Sequence, residues 1–306
     1  LVGGDPATER KRIRSAPRFD DFLEEYWNRW SLHWKPRTLE THDAYRRNYL
    51  DNAFKGVFID ELNEEHLTRW FADLNNRTGP GAANRTLEIL MHMLNKAEVW
   101  GYRLENTNPC RAVRANRRRK CERFLSVDEL ARFGAALAEL RTSENPTICA
   151  GCAVITLLLL TGCRYREILT LEWQDVRGNR LKLRDSKTGP RTVWLGAAAR
   201  AVIDSLPRHP KINALFWNYQ YRRPIRDVQH LWRTILARAD LGKLRIHDLR
   251  HTFASHAAMN QETLPMIGRL LGHANHQSTA RYAHLDDGHL LDASQQIGDV
   301  VEKLLA

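Results

Sequence analysis

The stretch that decides the architecture is His247-Asp248-Leu249-Arg250-His251-Thr252-Phe253-Ala254-Ser255. His247 and Arg250 stand three positions apart, so on a helix both side chains point one way. A guanidinium fork beside a titratable imidazole suits an anionic, reacting group such as a phosphate. The plain alternative is a pair of polar residues on the exposed face of an ordinary helix. A metal site is a second alternative, because His247 and His251 have i, i+4 spacing. The chain has neither an HExxH glutamate nor a run of clustered carboxylates to complete one, so no metal is expected.

Working outward, two further groups of residues have chemical potential. Upstream lies Thr161-Gly162-Cys163-Arg164-Tyr165-Arg166-Glu167. Here Arg164 follows a glycine at a helix start, and Glu167 falls on the same face three residues later. Downstream lie Leu270-Leu271-Gly272-His273 and then Thr279-Ala280-Arg281-Tyr282-Ala283-His284. Taken singly, such an Arg is a surface cation, a His after Gly is a cap, and a lone Tyr is a packing residue. Between these groups, Leu181–Arg184 and Thr192–Leu195 alternate with period two around Gly189-Pro190. That pattern predicts a β-hairpin, with a third strand near Asp175–Arg177. Helices are predicted over 127–141, 147–160, 197–206 and 226–240, the first opened by a Ser126/Glu129 capping box.

Taken in order, the strings TGCRYREIL, HDLRHTFAS, LLGH and TARYAHL resemble the catalytic domain of the tyrosine recombinase, or phage-type integrase, family. Lys187, in Ser186-Lys187-Thr188-Gly189 on the hairpin loop, matches that family's catalytic lysine. The resemblance covers about residues 125–290. The helical region 18–104 resembles the family's core-binding domain more weakly. The implied fold is mainly α with a small antiparallel β-sheet (α+β), a helical bundle followed by a catalytic domain.

The resemblance implies site-specific cleavage and rejoining of DNA, integrating or excising a mobile element. Tyr282 would attack a backbone phosphate, leaving a 3′-phosphotyrosyl link and a 5′-hydroxyl. His247 is the expected base, because a phenol with a pKa near about 10 needs help losing its proton. Arg164 and Arg250 would bracket the non-bridging oxygens, and His273 would add a hydrogen bond. Lys187 would protonate the leaving oxygen. Glu167 and Asp248 are expected to orient their neighbours. The cations supply the charge that metal ions supply elsewhere, so neither metal nor other cofactor is expected. Three other readings share some of these features: a type IB-like topoisomerase, a catalytically silent DNA-binding protein and a metal-dependent nuclease.

Composition agrees with a polyanionic partner. The 306 residues carry 47 Lys and Arg against 36 Asp and Glu, a net charge of +11. With 43% hydrophobic and 27% charged residues the chain reads as folded, not disordered. The apolar run Ala153–Leu160 falls short of the roughly 18 residues that span a bilayer. Five cysteines, Cys110, Cys121, Cys149, Cys152 and Cys163, make no regular framework and suit a reducing compartment. The expected location is the cytoplasm, on the bacterial nucleoid.

Four regions are expected. Residues 1–17 read as a linker, the remnant of an arm-binding domain. Residues 18–104 read as four amphipathic helices, opened at Pro36, Asn63 and Asn84 after the first and stopped at Gly101. Residues 105–123 read as a basic linker placed to hold a phosphate backbone through Arg111, Arg114, Arg117, Arg118, Arg119 and Lys120. Residues 124–306 hold the catalytic domain and a C-terminal tail. The expected partners are double-stranded DNA, a homo-tetramer formed on two duplexes and host DNA-bending proteins, with no membrane. Without DNA a monomer or weak oligomer is expected. The tail residues Leu290, Leu291, Ile297, Val300, Val301, Leu304 and Leu305 suit packing either on their own domain or on a neighbouring protomer. Arg222, Arg223 and Arg226 are candidate base readers.

Overall fold

The computed structural model describes residues 16–117, 123–184, 189–275 and 277–283, with 295, 297, 299 and 301–303 in the tail. The chain divides into two compact units, Leu1–Lys120 and Cys121–Ala306.

The first unit is built on amphipathic helices. Helix α1 (Phe19–Trp30) buries Phe19, Phe22, Leu23, Tyr26 and Trp27 along one stripe. Each such side chain contributes about 1.5–3 kcal/mol by leaving water. Pro36 opens α2 (Pro36–Tyr45), which runs on into a π-turn ending at buried Leu50. Asn63 caps α3 (Glu64–Thr78) by accepting the His66 N–H at 3.0 Å.

Helix α4 (Pro80–Val99) begins four residues before the expected cap, Asn84. Gly79 takes a positive φ of 84°, and Pro80 occupies the first helical position, where its missing N–H costs nothing. Asn84 is instead buried within α4 and holds the chain at Asn116. Its Oδ1 accepts the Asn116 N–H at 2.9 Å, and its Nδ2 donates to the Asn116 carbonyl at 2.8 Å.

The stretch from 105 to 117 is also built into this unit. Cys110 and Val113 join its core, and Asn108 donates to the Met91 carbonyl at 3.0 Å. The sequence reads as a basic linker over 105–123, because the helical pattern breaks at Asn108-Pro109 and cations follow. The burial of Cys110 and Val113 is what closes the segment down.

In the second unit the capping box at Ser126 and Glu129 opens α5 (Val127–Arg141). Arg123 bonds the same Glu129 carboxylate, and that bond together with the Ser126 N–H draws its pKa down to about 2. Helix α6 (Pro146–Thr161) is apolar on nearly every side, which suits a helix at the centre of a core. It packs on α5, on α7 (Tyr165–Leu169), on α8 (Ala197–Asp204) and on α10 (Asp248–Met259).

A three-stranded antiparallel meander joins β1 (Val176–Arg177), β2 (Arg180–Leu183) and β3 (Arg191–Trp194). Leu181 pairs with Val193, and both point into the core. A short hairpin, β4 (Trp217–Asn218) with β5 (Arg223–Pro224), carries exposed Arg222, Arg223 and Arg226 around its turn. Helices α9 (Gln229–Arg238), α10, α11 (Leu264–Leu271) and α12 (Gln277–Ala280) complete the unit. Cys110, Cys149, Cys152 and Cys163 are free thiols. Among the described residues no helix is long and apolar enough to cross a membrane.

Candidate active site

The site begins where α6 ends. Gly162 closes that helix in the left-handed region, at φ 61°. A Cβ there would sit 2.5 Å from Phe253 and 2.9 Å from Leu271, so the turn needs glycine on both counts. The turn sets Arg164 at the N-cap of α7. Its N–H donates to Glu167 Oε2 at 2.9 Å, and its Nη1 donates to Glu167 Oε1 at 2.8 Å. From α10, Arg250 returns to the same turn and donates Nη1 to the Gly162 carbonyl at 2.8 Å.

Arg250 is only 4% exposed, which rules out the plain reading of two exposed polar residues on a surface helix. Burial, then the repulsion of Arg164 and Arg191, pushes its pKa down to about 10, so it stays charged at neutral pH. Glu167 takes a second cation, since Arg191 Nη2 donates to its Oε2 at 2.7 Å. Burial alone would push the Glu167 carboxyl up. The bonds from Arg191 and from the Arg164 N–H outweigh that and hold it below its ordinary value. Two guanidinium groups thus share one buried carboxylate, with Arg250 close enough to be repelled by both, leaving an excess of positive charge that a phosphodiester would neutralise.

The imidazoles border this cluster. His273 follows Gly272, the left-handed C-cap of α11, and its Nδ1 is 2.7 Å from Thr279 Oγ1. Burial first, then Arg250 and Arg164, push its pKa down to about 4. His247 caps α10 at the surface, its ring 5.3 Å from that of His251 and perpendicular to it. Desolvation by these neighbours and the charge of Arg250 lower its pKa.

Tyr282 is 4% exposed, packed with Ala254, Ala258, Ile267 and Leu271 between α10 and α11. Its hydroxyl meets His251 Nδ1 at 2.8 Å. His247 was the expected partner of that hydroxyl, yet the bond runs to His251, one helical turn further along α10. Burial, then His247 and Arg281, push His251 down to about 4, so its ring is neutral, and in the tautomer protonated at Nε2 its Nδ1 accepts from the phenol.

The other expected residues are distributed as follows. Lys187, Arg118, Arg119 and Lys120 lie outside the described residues. Arg111 is paired with Glu98 at 2.8 Å, while Arg114 and Arg117 are exposed. Asp248 accepts from the Arg245 N–H at 2.8 Å, so it orients Arg245. Two residues of the site escaped sequence reading. His251 was visible only as half of an i, i+4 histidine pair, and Arg191 carried no local signal beyond opening a strand.

The depressed histidine pKa values make an expectation for stability. In the unfolded chain His251 and His273 titrate near 6.5, and in the fold near 4. Between those values the unfolded state binds more protons, so stability is full above 6.5 and falls as pH drops toward 4. Glu129 adds its own loss only below its ordinary 4.5. Thermal melts of the full chain should therefore show a falling midpoint already between pH 6.5 and 4.5. A flat midpoint across that interval would contradict the neutral, buried state of both rings.

A mainly helical scaffold that sets a surplus of guanidinium groups beside imidazoles and a buried tyrosine defines a class: proteins built for phosphoryl chemistry with a tyrosine at hand. The profile of the Phage integrase family matches residues 123–289. The tyrosine recombinase XerC of Chromohalobacter salexigens is 28% identical over 289 residues, covering 90% of this chain and 94% of that protein. The integrase of Haemophilus phage HP1 is 29% identical over 250 residues, covering 79% and 67%. Among solved structures, a lambda integrase tetramer bound to a Holliday junction superposes with a TM-score of 0.68 at 17% identity, covering 90% of this chain and 82% of that one. This chain belongs to the phage integrase family, the tyrosine recombinases.

Proposed function

We propose that this tyrosine recombinase cleaves and rejoins DNA at specific sites through Tyr282, integrating or excising a mobile element. The gathering of Arg250 beside Arg164 and Arg191, which share the single carboxylate of Glu167, with His273 alongside, carries this reading. A phosphodiester in that field loses the repulsion that shields it from a nucleophile, and charge building on its non-bridging oxygens meets fixed donors. The Tyr282 oxygen forms the new bond to phosphorus as its proton passes to an imidazole. The bond to the 5′-oxygen breaks, and Lys187 supplies the proton to that leaving group. Attack by a 5′-hydroxyl on the phosphotyrosine reverses the step and restores both the diester and the phenol. His251 holds the hydroxyl at rest, and exposed His247, its ring beside that of His251, would take part as the phosphate enters.

The test uses a nicked suicide duplex, its sequence selected from a randomised pool for binding by the full chain. Incubated in EDTA, wild type should form a covalent protein–DNA adduct. Loss of the adduct in EDTA would favour a metal-dependent nuclease, and no adduct on a bound duplex would favour a silent binder. Exchange of strands between two differently labelled duplexes distinguishes a recombinase from a topoisomerase.

Assembly into a tetramer on two duplexes fits exposed apolar tail residues, Ile297 at 64% and Val301 at 46% exposure, one helical turn apart. Action in the cytoplasm, on DNA of the nucleoid, follows from the same reading. The basic segment is proposed to grip the backbone. Replacing Arg117, Arg118 and Arg119 by Gln should weaken DNA binding and flatten the plot of log affinity against log salt by about 1 per lost phosphate contact. An unchanged slope would make the segment a spacer.

A further inference from the structure

One buried side chain ties together several parts of the site. Arg191 opens β3 and is 11% exposed. Its Nη2 donates to Glu167 Oε2 at 2.7 Å and approaches Cys163 Sγ at 3.4 Å, while Nη1 donates to the Leu270 carbonyl at 3.1 Å. The same side chain packs closely against Gly272. A Cβ on that residue would be 2.6 Å from Arg191 Cδ and 2.9 Å from its Nε. Gly272 in turn presents its carbonyl to Arg164 Nη2 at 3.5 Å and directly precedes His273.

We infer that Arg191 is a positioning residue for strand cleavage: it clamps Glu167 to the Leu270–Gly272 turn and so fixes Arg164 and His273 relative to one another. The inference rests on the phosphate-site reading above. Three features of the guanidinium suit it to this task. Its fork reaches a carboxylate and a carbonyl at once, which an ammonium cannot match. It packs closely against a glycine. Its charge keeps Glu167 ionised, so that the other carboxylate oxygen remains an acceptor for Arg164. Without Arg191, Glu167 has Arg164 as its remaining side-chain cation, and the turn bearing His273 loses its tie to the sheet.

The test compares single-turnover adduct formation on the selected suicide duplex, at saturating DNA, for wild type, Arg191→Lys, Arg191→Met and Tyr282→Phe. A partly unfolded enzyme lowers the amplitude of adduct, whereas a misplaced Arg164 lowers the rate constant at full amplitude. Both Arg191 variants should lose about 10-fold or more in rate constant, with DNA affinity little changed. Adding Glu167→Gln to Arg191→Met should cost less than the product of the single effects, because both act through one contact. An unchanged rate constant in either Arg191 variant would overturn the proposal, as would a loss confined to amplitude and melting temperature. Wild type that forms no adduct beyond the Tyr282→Phe background would instead refute the underlying function, so the two failures are distinguishable.

Discussion

Tyr282→Phe is expected to abolish covalent adduct formation while leaving the protein folded and able to bind DNA. The substitution removes one oxygen and keeps the ring that packs among Ala254, Ala258, Ile267 and Leu271. Its structural cost includes the hydroxyl bond with His251 at 2.8 Å, a loss of about 1–3 kcal/mol for a buried partner left without its mate. On the proposed mechanism its chemical cost is total, because the oxygen that attacks phosphorus is the one removed. Adduct yield on the suicide duplex, read by denaturing gel, should fall to background while affinity from band shift stays near wild type. An adduct that survives would show that the nucleophile lies elsewhere. On the proposed mechanism Tyr282, 4% exposed, has to become accessible before a phosphate reaches its oxygen. The neutral His251 ring is the group that its hydroxyl must then leave.

Arg250→Ala should lower the rate constant of cleavage at saturating DNA by about 10²–10³-fold, the usual effect of removing one fixed donor to a charged transition state. Arg250 combines burial, a bond to the Gly162 carbonyl and proximity to Arg164 and Arg191. The effect on stability is a balance. Removing a buried cation relieves repulsion with Arg164 and Arg191, but it opens a cavity and strips the Gly162 carbonyl of its donor. The rate is therefore the sharper readout. Arg250→Lys keeps a positive charge but loses the planar fork and should recover only part of the rate. DNA affinity should change little in either variant, because most binding comes from backbone contacts outside this site. A wild-type rate in Arg250→Ala would remove Arg250 from the phosphate site altogether.

The helices that carry these groups were largely legible from local chemistry. The Ser126/Glu129 capping box, Pro36 and Asn63 mark helix starts in the sequence, and each marks one in the structure. These signals act within one helical turn, so they survive translation from chain to fold. Asn84 shows their limit. The residue type suits a cap, but a positive-φ glycine followed by proline starts the helix earlier, and the amide serves a contact 32 residues away. Residues 105–117 make the same point, since their lack of period reads as a linker although Cys110 and Val113 are core.

Sequence alone determined the family and pointed to candidate reactive groups such as Arg164, Arg250 and Tyr282, while His251 and Arg191 escaped it. Motif spacing and hydrophobic period are properties of short stretches of chain. Tertiary structure decided which groups meet: Arg250 with Gly162 across 88 positions, Arg191 with Glu167 across 24, and Tyr282 with His251 across 31. Those meetings follow from how α10, α11 and β3 pack around the end of α6. Such packing depends on the shapes of whole buried faces, which no local repeat encodes.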